Sequence, residues 1–118
     1  MVGYARTATG FTDLRRCFSV SAERLYRELV PFGPAYHNIV GELRLTPNGG
    51  AAQVAAKMYP GNDLLPARLG SPFPLDAAFH AACVWGQRHR RVVAFPVGIE
   101  KRIVAQPTQP GDRYISRA

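Results

Sequence analysis

The sequence predicts an α+β fold, a curved antiparallel sheet with one buried helix set between hairpins. Three observations lead there. Ile39 to Thr46 and Ala51 to Tyr59 read as strands flanking Pro47-Asn48-Gly49-Gly50, and Asn-Gly is a strong hairpin signal because both residues tolerate positive φ. Leu75 to Trp85 is nearly apolar all round, as expected of a helix buried on most faces. After it, Val92 to Val97 and Ile99 to Gln106 read as strands meeting near Pro96 and Gly98, since apolar runs punctuated by proline and glycine favour extended chain.

Composition sets the frame for these elements. A chain of 118 residues with 47% hydrophobic and 19% charged residues fits one folded domain and argues against disorder, a collagen repeat or a coiled coil. Fifteen Lys and Arg against eight Asp and Glu leave a net charge of +7, which favours an acidic partner without identifying one. Cys17 and Cys83 share no metal-like spacing with the three histidines, so neither a disulfide scaffold nor a metal site is expected. The N-terminal residues lack the apolar core of a signal peptide, and no apolar run approaches the roughly 20 residues needed to cross a bilayer. A soluble, cytoplasmic protein with no membrane contact is the expectation.

Along the chain, Val2 to Thr7 is a candidate strand before the break at Gly10. Ser21 opens a helix: it supplies an N-cap oxygen, Glu23 puts acid in the first turn, and Leu25, Tyr26 and Leu29 share one side. Pro31 ends it, and Phe32-Gly33-Pro34-Ala35-Tyr36 predicts a loop or single turn. Met58 to Gly70 reads as irregular. The buried helix is expected from about Pro74, where proline suits the first turn, to His89, where Arg88, His89, Arg90 and Arg91 complement its negative end. A short last strand is placed at Tyr114 to Ser116.

Three segments carry a resemblance. Phe32-Gly33-Pro34-Ala35-Tyr36 is similar to the Tyr-Gly-Pro-x-Phe segment, and Ser71-Pro72-Phe73-Pro74-Leu75-Asp76-Ala77 with His80 is similar to the His-Pro-x-Leu-Leu-Asp-Ala helix opening, of the polyketide synthase dehydratase family. Phe95-Pro96-Val97-Gly98-Ile99-Glu100 resembles the strand after that helix, so the likeness runs from about Leu25 to Ile115. It implies a hot-dog fold, a curved sheet wrapped round a central helix, matching the C-terminal half of a double hot-dog. It also implies water elimination from β-hydroxyacyl thioesters carried on phosphopantetheine, with no cofactor of the protein's own.

Asp76 takes the place of the family's catalytic acid and His80 that of its helper. Phe32, Gly33, Pro34 and Tyr36 are the expected substrate-binding segment, although aromatic residues after a helix also serve simply as core. The sequence departs from the pattern at Ser71, where the family often has histidine, and it has no counterpart of the N-terminal half that supplies the other catalytic residue. His37, with Gly41 and Pro47, imitates that half's histidine motif with the proline one position late. The expectation is therefore one hot-dog unit lacking the final strands, completed as a homodimer or by a complementary half.

Read from the residues alone, an i,i+4 Asp76 and His80 pair is equally a helix cap and a satisfied core histidine. Dehydration needs an acid for the departing hydroxyl and a base for the α proton in a water-poor site, and Asp76 opens an apolar helix. Arg88, Arg90 and Arg91, with Lys101 and Arg102 nearby, fit either a solvated face or, as the resemblance implies, a docking site for an acyl carrier protein. Nucleic-acid binding is not expected, because no recognition motif accompanies the charge. The alternative to an enzyme is a non-catalytic acyl-binding or scaffold unit of the same fold.

Overall fold

The computed structural model describes residues 3–5, 17–57 and 69–118. Its strands are β1 (Gly3–Ala5), β2 (Phe18–Ser21), β3 (Ile39–Thr46), β4 (Gly49–Ala55) and β5 (Arg113–Arg117), hydrogen-bonded in the order β1-β5-β4-β3-β2 with every pair antiparallel. Strands β2 to β5 form the four-stranded body, packed against the 18-residue helix α2 (Phe73–Arg90). The fold is thus α+β. The sheet is not strongly curled, which corrects the expected wrap: α2 lies against one face of the sheet, with most of its contacts to β4.

Alternation in β3 explains the side of the sheet that is covered. Ile39, Leu43 and Leu45 are buried and meet Val54 and Ala52 of β4, while Glu42 and Arg44 face out and pair with each other at 2.8 Å. Between Val40 and Leu43 the register shifts by a bulge at Gly41, whose φ of +72° is open to glycine at low cost. The hairpin differs from the expected one. Thr46 pairs with Gly49, so Pro47 and Asn48 occupy the turn and Asn-Gly is not its central pair. Proline's fixed φ suits the first turn position, and Thr46 Oγ1 accepts from the Asn48 amide at 3.3 Å.

Helix α1 (Ala22–Arg24) begins as predicted, with Ser21 Oγ accepting from the Arg24 amide at 3.2 Å. It continues as a π turn over Leu25–Leu29, closed by the Val30 amide on the Leu25 carbonyl. This wider turn buries both Leu25 and Tyr26. On α2 the buried residues include Phe73, Ala77, Ala78, His80, Ala81, Cys83 and Val84. Small alanines bring the helix backbone close to the sheet, and Leu25, Leu43, Val54 and Val84 fill the space between. Trp85 anchors the far end by donating from Nε1 to the Thr46 carbonyl at 3.0 Å.

The strands expected at Val92 to Val97 and Ile99 to Gln106 are absent. After α2, Arg91 adopts the left-handed conformation (φ 55°), and the Val92 amide turns back to the Gly86 carbonyl. The chain then runs along the surface, with Val93 63%, Phe95 64% and Val97 fully exposed. Extended apolar sequence becomes a strand only when a sheet edge receives it, and the helix cap directs this segment elsewhere. The expected strand at Tyr114 to Ser116 is real and lies between β1 and β4. Of the stretch from Met58 to Gly70 read as irregular, residues 58–68 lie outside the described residues. Among the described residues no helix is long and apolar enough to cross a membrane.

Candidate functional site

The start of α2, the π turn and the segment before β3 bring four polar side chains together. Tyr26 reaches from the π turn, and its hydroxyl oxygen accepts two backbone amides, Asn38 at 3.1 Å and Ile39 at 2.9 Å. The same hydroxyl lies 3.2 Å from Nδ1 of His80. His80 is 4% exposed, and its other nitrogen, Nε2, lies 3.3 Å from Oδ2 of Asp76 one turn earlier on the helix. That last pair is within ion-pair distance but not aligned as a hydrogen bond, so both buried atoms lack a hydrogen-bond partner. His37 stacks on the Tyr26 ring with centroids 4.3 Å apart and donates from Nε2 to the Phe32 carbonyl at 2.6 Å.

This cluster borders a cavity of about 260 Å³. Asp76 and His80 form its polar wall, and Val30, Phe32, Phe79 and Cys83 form the apolar one, with Phe95 and Pro96 at its rim. Phe32 also stacks on the His80 ring, with centroids 5.1 Å apart. Burial in this apolar surround raises the Asp76 carboxyl above its ordinary range, partly opposed by the charge of His80. Burial lowers His80, against the pull of Asp76 and with a small push from His37. Both shifts favour uncharged side chains. Burial likewise raises the Tyr26 phenol, with the Ile39 and Asn38 amides opposing.

The expected residues divide accordingly. Asp76 and His80 share one cavity wall, and Phe32 faces them. Gly33, Pro34 and Tyr36 do not line the cavity. Pro34 opens the 3-10 turn Pro34–Tyr36, Tyr36 is 50% exposed, and the Gly33 carbonyl accepts from the Tyr36 amide. A core role for Phe32 and Tyr36 does not fit, since both are exposed. Arg88 and Arg90 are exposed at the end of α2, with Arg88 over the Phe18 ring at 3.9 Å and Arg90 over Trp85 at 5.7 Å; Arg91 follows as the cap.

Asp76 is no helix cap. Its amide donates within the helix to the Pro72 carbonyl, whereas Ser71 Oγ accepts the Phe73 amide at 3.4 Å. Ser71 is itself held by Thr108, whose Oγ1 donates to the Ser71 carbonyl at 3.2 Å. Gly70 has to be glycine here, with φ of +69° and no room for a Cβ against Thr108.

Tyr26 is the residue that sequence reasoning missed. The only signal for it was a tyrosine on an apolar helix side, whose hydroxyl must find a partner once buried. Among the described residues no group of three or more His, Cys, Asp or Glu side chains is placed to hold a metal ion. Comparison with protein-family models, with curated proteins and with solved structures returned no match.

Proposed function

We propose that this chain is a hot-dog unit of the polyketide dehydratase type, which eliminates water from carrier-bound β-hydroxyacyl thioesters. The observation that carries the proposal is Asp76: a carboxyl with its pKa raised by burial, on the wall of an apolar cavity and beside a histidine nitrogen without a partner. Raised carboxyls in clefts are suited to acid catalysis. In this reading the acyl end of the substrate enters past Phe32 and Phe95. Asp76 gives its proton to the departing β-hydroxyl as the C–O bond breaks, and water leaves. The α proton goes to a base, and the electron pair of that C–H bond forms the new double bond.

The base is assigned to a complementary half or a second copy, as the resemblance implies. His37 is unsuited to it, because Tyr26 and Phe32 hold it away from the cavity. The exposed apolar run from Val92 to Ile103 supports a partner, since apolar side chains left in water favour association. The acyl group would arrive on the phosphopantetheine arm of an acyl carrier protein. Arg88, Arg90 and Arg91 supply the positive surface for it, and replacing all three by Ser should weaken carrier binding at low salt far more than at high salt. Equal affinity for both proteins in a low-salt titration makes these arginines a solvated face only.

One observation favours the second reading, a non-catalytic acyl-binding unit: among the described residues the cavity is lined by no free base besides the Asp76 and His80 pair. The experiment that separates the two is incubation of the purified protein with a β-hydroxyacyl pantetheine thioester, followed by absorbance of the α,β-unsaturated product. Product formation supports the dehydratase; saturable binding without product supports the acyl-binding unit.

A further inference from the structure

From the hydrogen bonds around Tyr26 we infer that this phenol is a positioning residue which fixes the tautomer of His80, placing the ring proton on Nε2 toward Asp76 and the cavity. Donors and acceptors at the phenol must balance. A phenol oxygen has two lone pairs, and here both are used by the Asn38 and Ile39 amides. The hydroxyl proton then has one direction left, toward His80 Nδ1 at 3.2 Å. Nδ1 is therefore the acceptor, and the neutral imidazole carries its proton on Nε2.

The backbone entering β3 thus sets the chemistry of a side chain on α2. The hydrogen bond made by one ring nitrogen commonly chooses a histidine's tautomer in this way. Among the described residues the groups facing His80 are Asp76 from its own helix, Tyr26 from the π turn, the Phe32 ring, and His37 behind Tyr26. Protonating Nδ1 would set an N–H against the phenol O–H, which has no other acceptor among the described residues. The lone pair of His80 is consequently blocked, and its Nε2–H is available only as a donor. His80 then cannot serve as the base that removes the α proton; it can steady the Asp76 carboxyl or donate to a substrate oxygen. This functional role rests on the dehydratase reading, whereas the tautomer does not.

The test is nitrogen NMR of protein labelled with 15N-histidine, with the His80 signals assigned by their loss in His80→Gln. Wild-type protein at neutral pH should show the proton on Nε2. Asp76→Asn should keep it there, because the phenol and not the carboxylate directs it. Tyr26→Phe should show a mixture of tautomers or a shift to Nδ1–H. A proton on Nδ1 in the wild type overturns the inference with no variant needed, and so does an unchanged tautomer in folded Tyr26→Phe. Turnover of a β-hydroxyacyl thioester is measured on the same samples. Nε2–H without turnover overturns the dehydratase reading and leaves the tautomer assignment standing; turnover with Nδ1–H does the reverse. Turnover in Tyr26→Phe should fall by about tenfold, the worth of one oriented hydrogen bond.

Discussion

Replacing Tyr26 by Phe removes one oxygen and leaves three polar groups without their partner: the buried Asn38 and Ile39 amides and His80 Nδ1. A buried group stripped of its hydrogen bond costs about 1–3 kcal/mol. Taking the lower figure for each, because a water can enter the space vacated, gives a loss of about 3 kcal/mol. That is a large share of the roughly 5–15 kcal/mol by which domains are stable, yet it leaves the variant folded. Urea titration followed by Trp85 fluorescence reads the change directly, with an unchanged slope showing that the unfolded state is the same. Tyr114→Phe is the control. The Tyr114 hydroxyl accepts from the exposed Gln109 amide at 2.7 Å and approaches Asp112 at 3.5 Å, groups that water can serve, so its loss should be under about 1 kcal/mol. If Tyr26→Phe costs no more than Tyr114→Phe, the accounting around the phenol is wrong.

Two further outcomes follow from the same cluster and from the helix end. The His80 pKa is lowered by folding, so its contribution to stability is present above its ordinary value of 6.5 and is lost as pH falls toward the lower folded value. Asp76, raised by folding, has the opposite sign: its contribution is present in acid, below its ordinary value of 3.8, and is lost as pH rises through the folded value. On acidification below 6.5 the melting temperature of the wild type should therefore drop relative to that of His80→Gln, which lacks the imidazole; parallel curves for the two proteins contradict this. Arg91, an exposed non-glycine residue at φ 55°, should give a more stable protein as Arg91→Gly, by about 1 kcal/mol in thermal or urea unfolding, since glycine meets no Cβ penalty there; a loss of stability would show that the arginine side chain makes a contact that matters more.

The elements legible in the sequence were those fixed by local pattern. β3 follows its alternation from Ile39 to Thr46, α2 (Phe73–Arg90) is built round the apolar run Leu75 to Trp85, and Ser21 caps the first helix as its side chain predicts. Where a distant partner decides, pattern misleads. Val92 to Gln106 has strand composition, but whether it joins a sheet depends on where the Arg91 cap sends the chain. The turn at Pro47 and Asn48 shows a closer competition, in which the fixed φ of proline prevails over the tolerance of Asn-Gly for positive φ. At the site, Asp76 and His80 were legible because i,i+4 spacing on a helix brings them together. Tyr26 was not. Its partners lie 12, 13 and 54 residues away, and only the packing of the π turn against α2 and β3 unites them.

If Asp76 is the acid of the proposed dehydration, Asp76→Asn should separate loss of chemistry from loss of fold. The carboxyl has no capping hydrogen bond to lose, and its place in the first turn of α2 is worth about 0.3–1 kcal/mol. Removing a carboxyl that burial disfavours in its charged form offsets part of that, so melting should change by only a few degrees. Turnover of a β-hydroxyacyl pantetheine thioester should instead fall by about 10² or more, the usual loss when a general acid is removed, while binding of the thioester persists. Turnover in Asp76→Asn equal to that of an active wild type would show that Asp76 is not the acid.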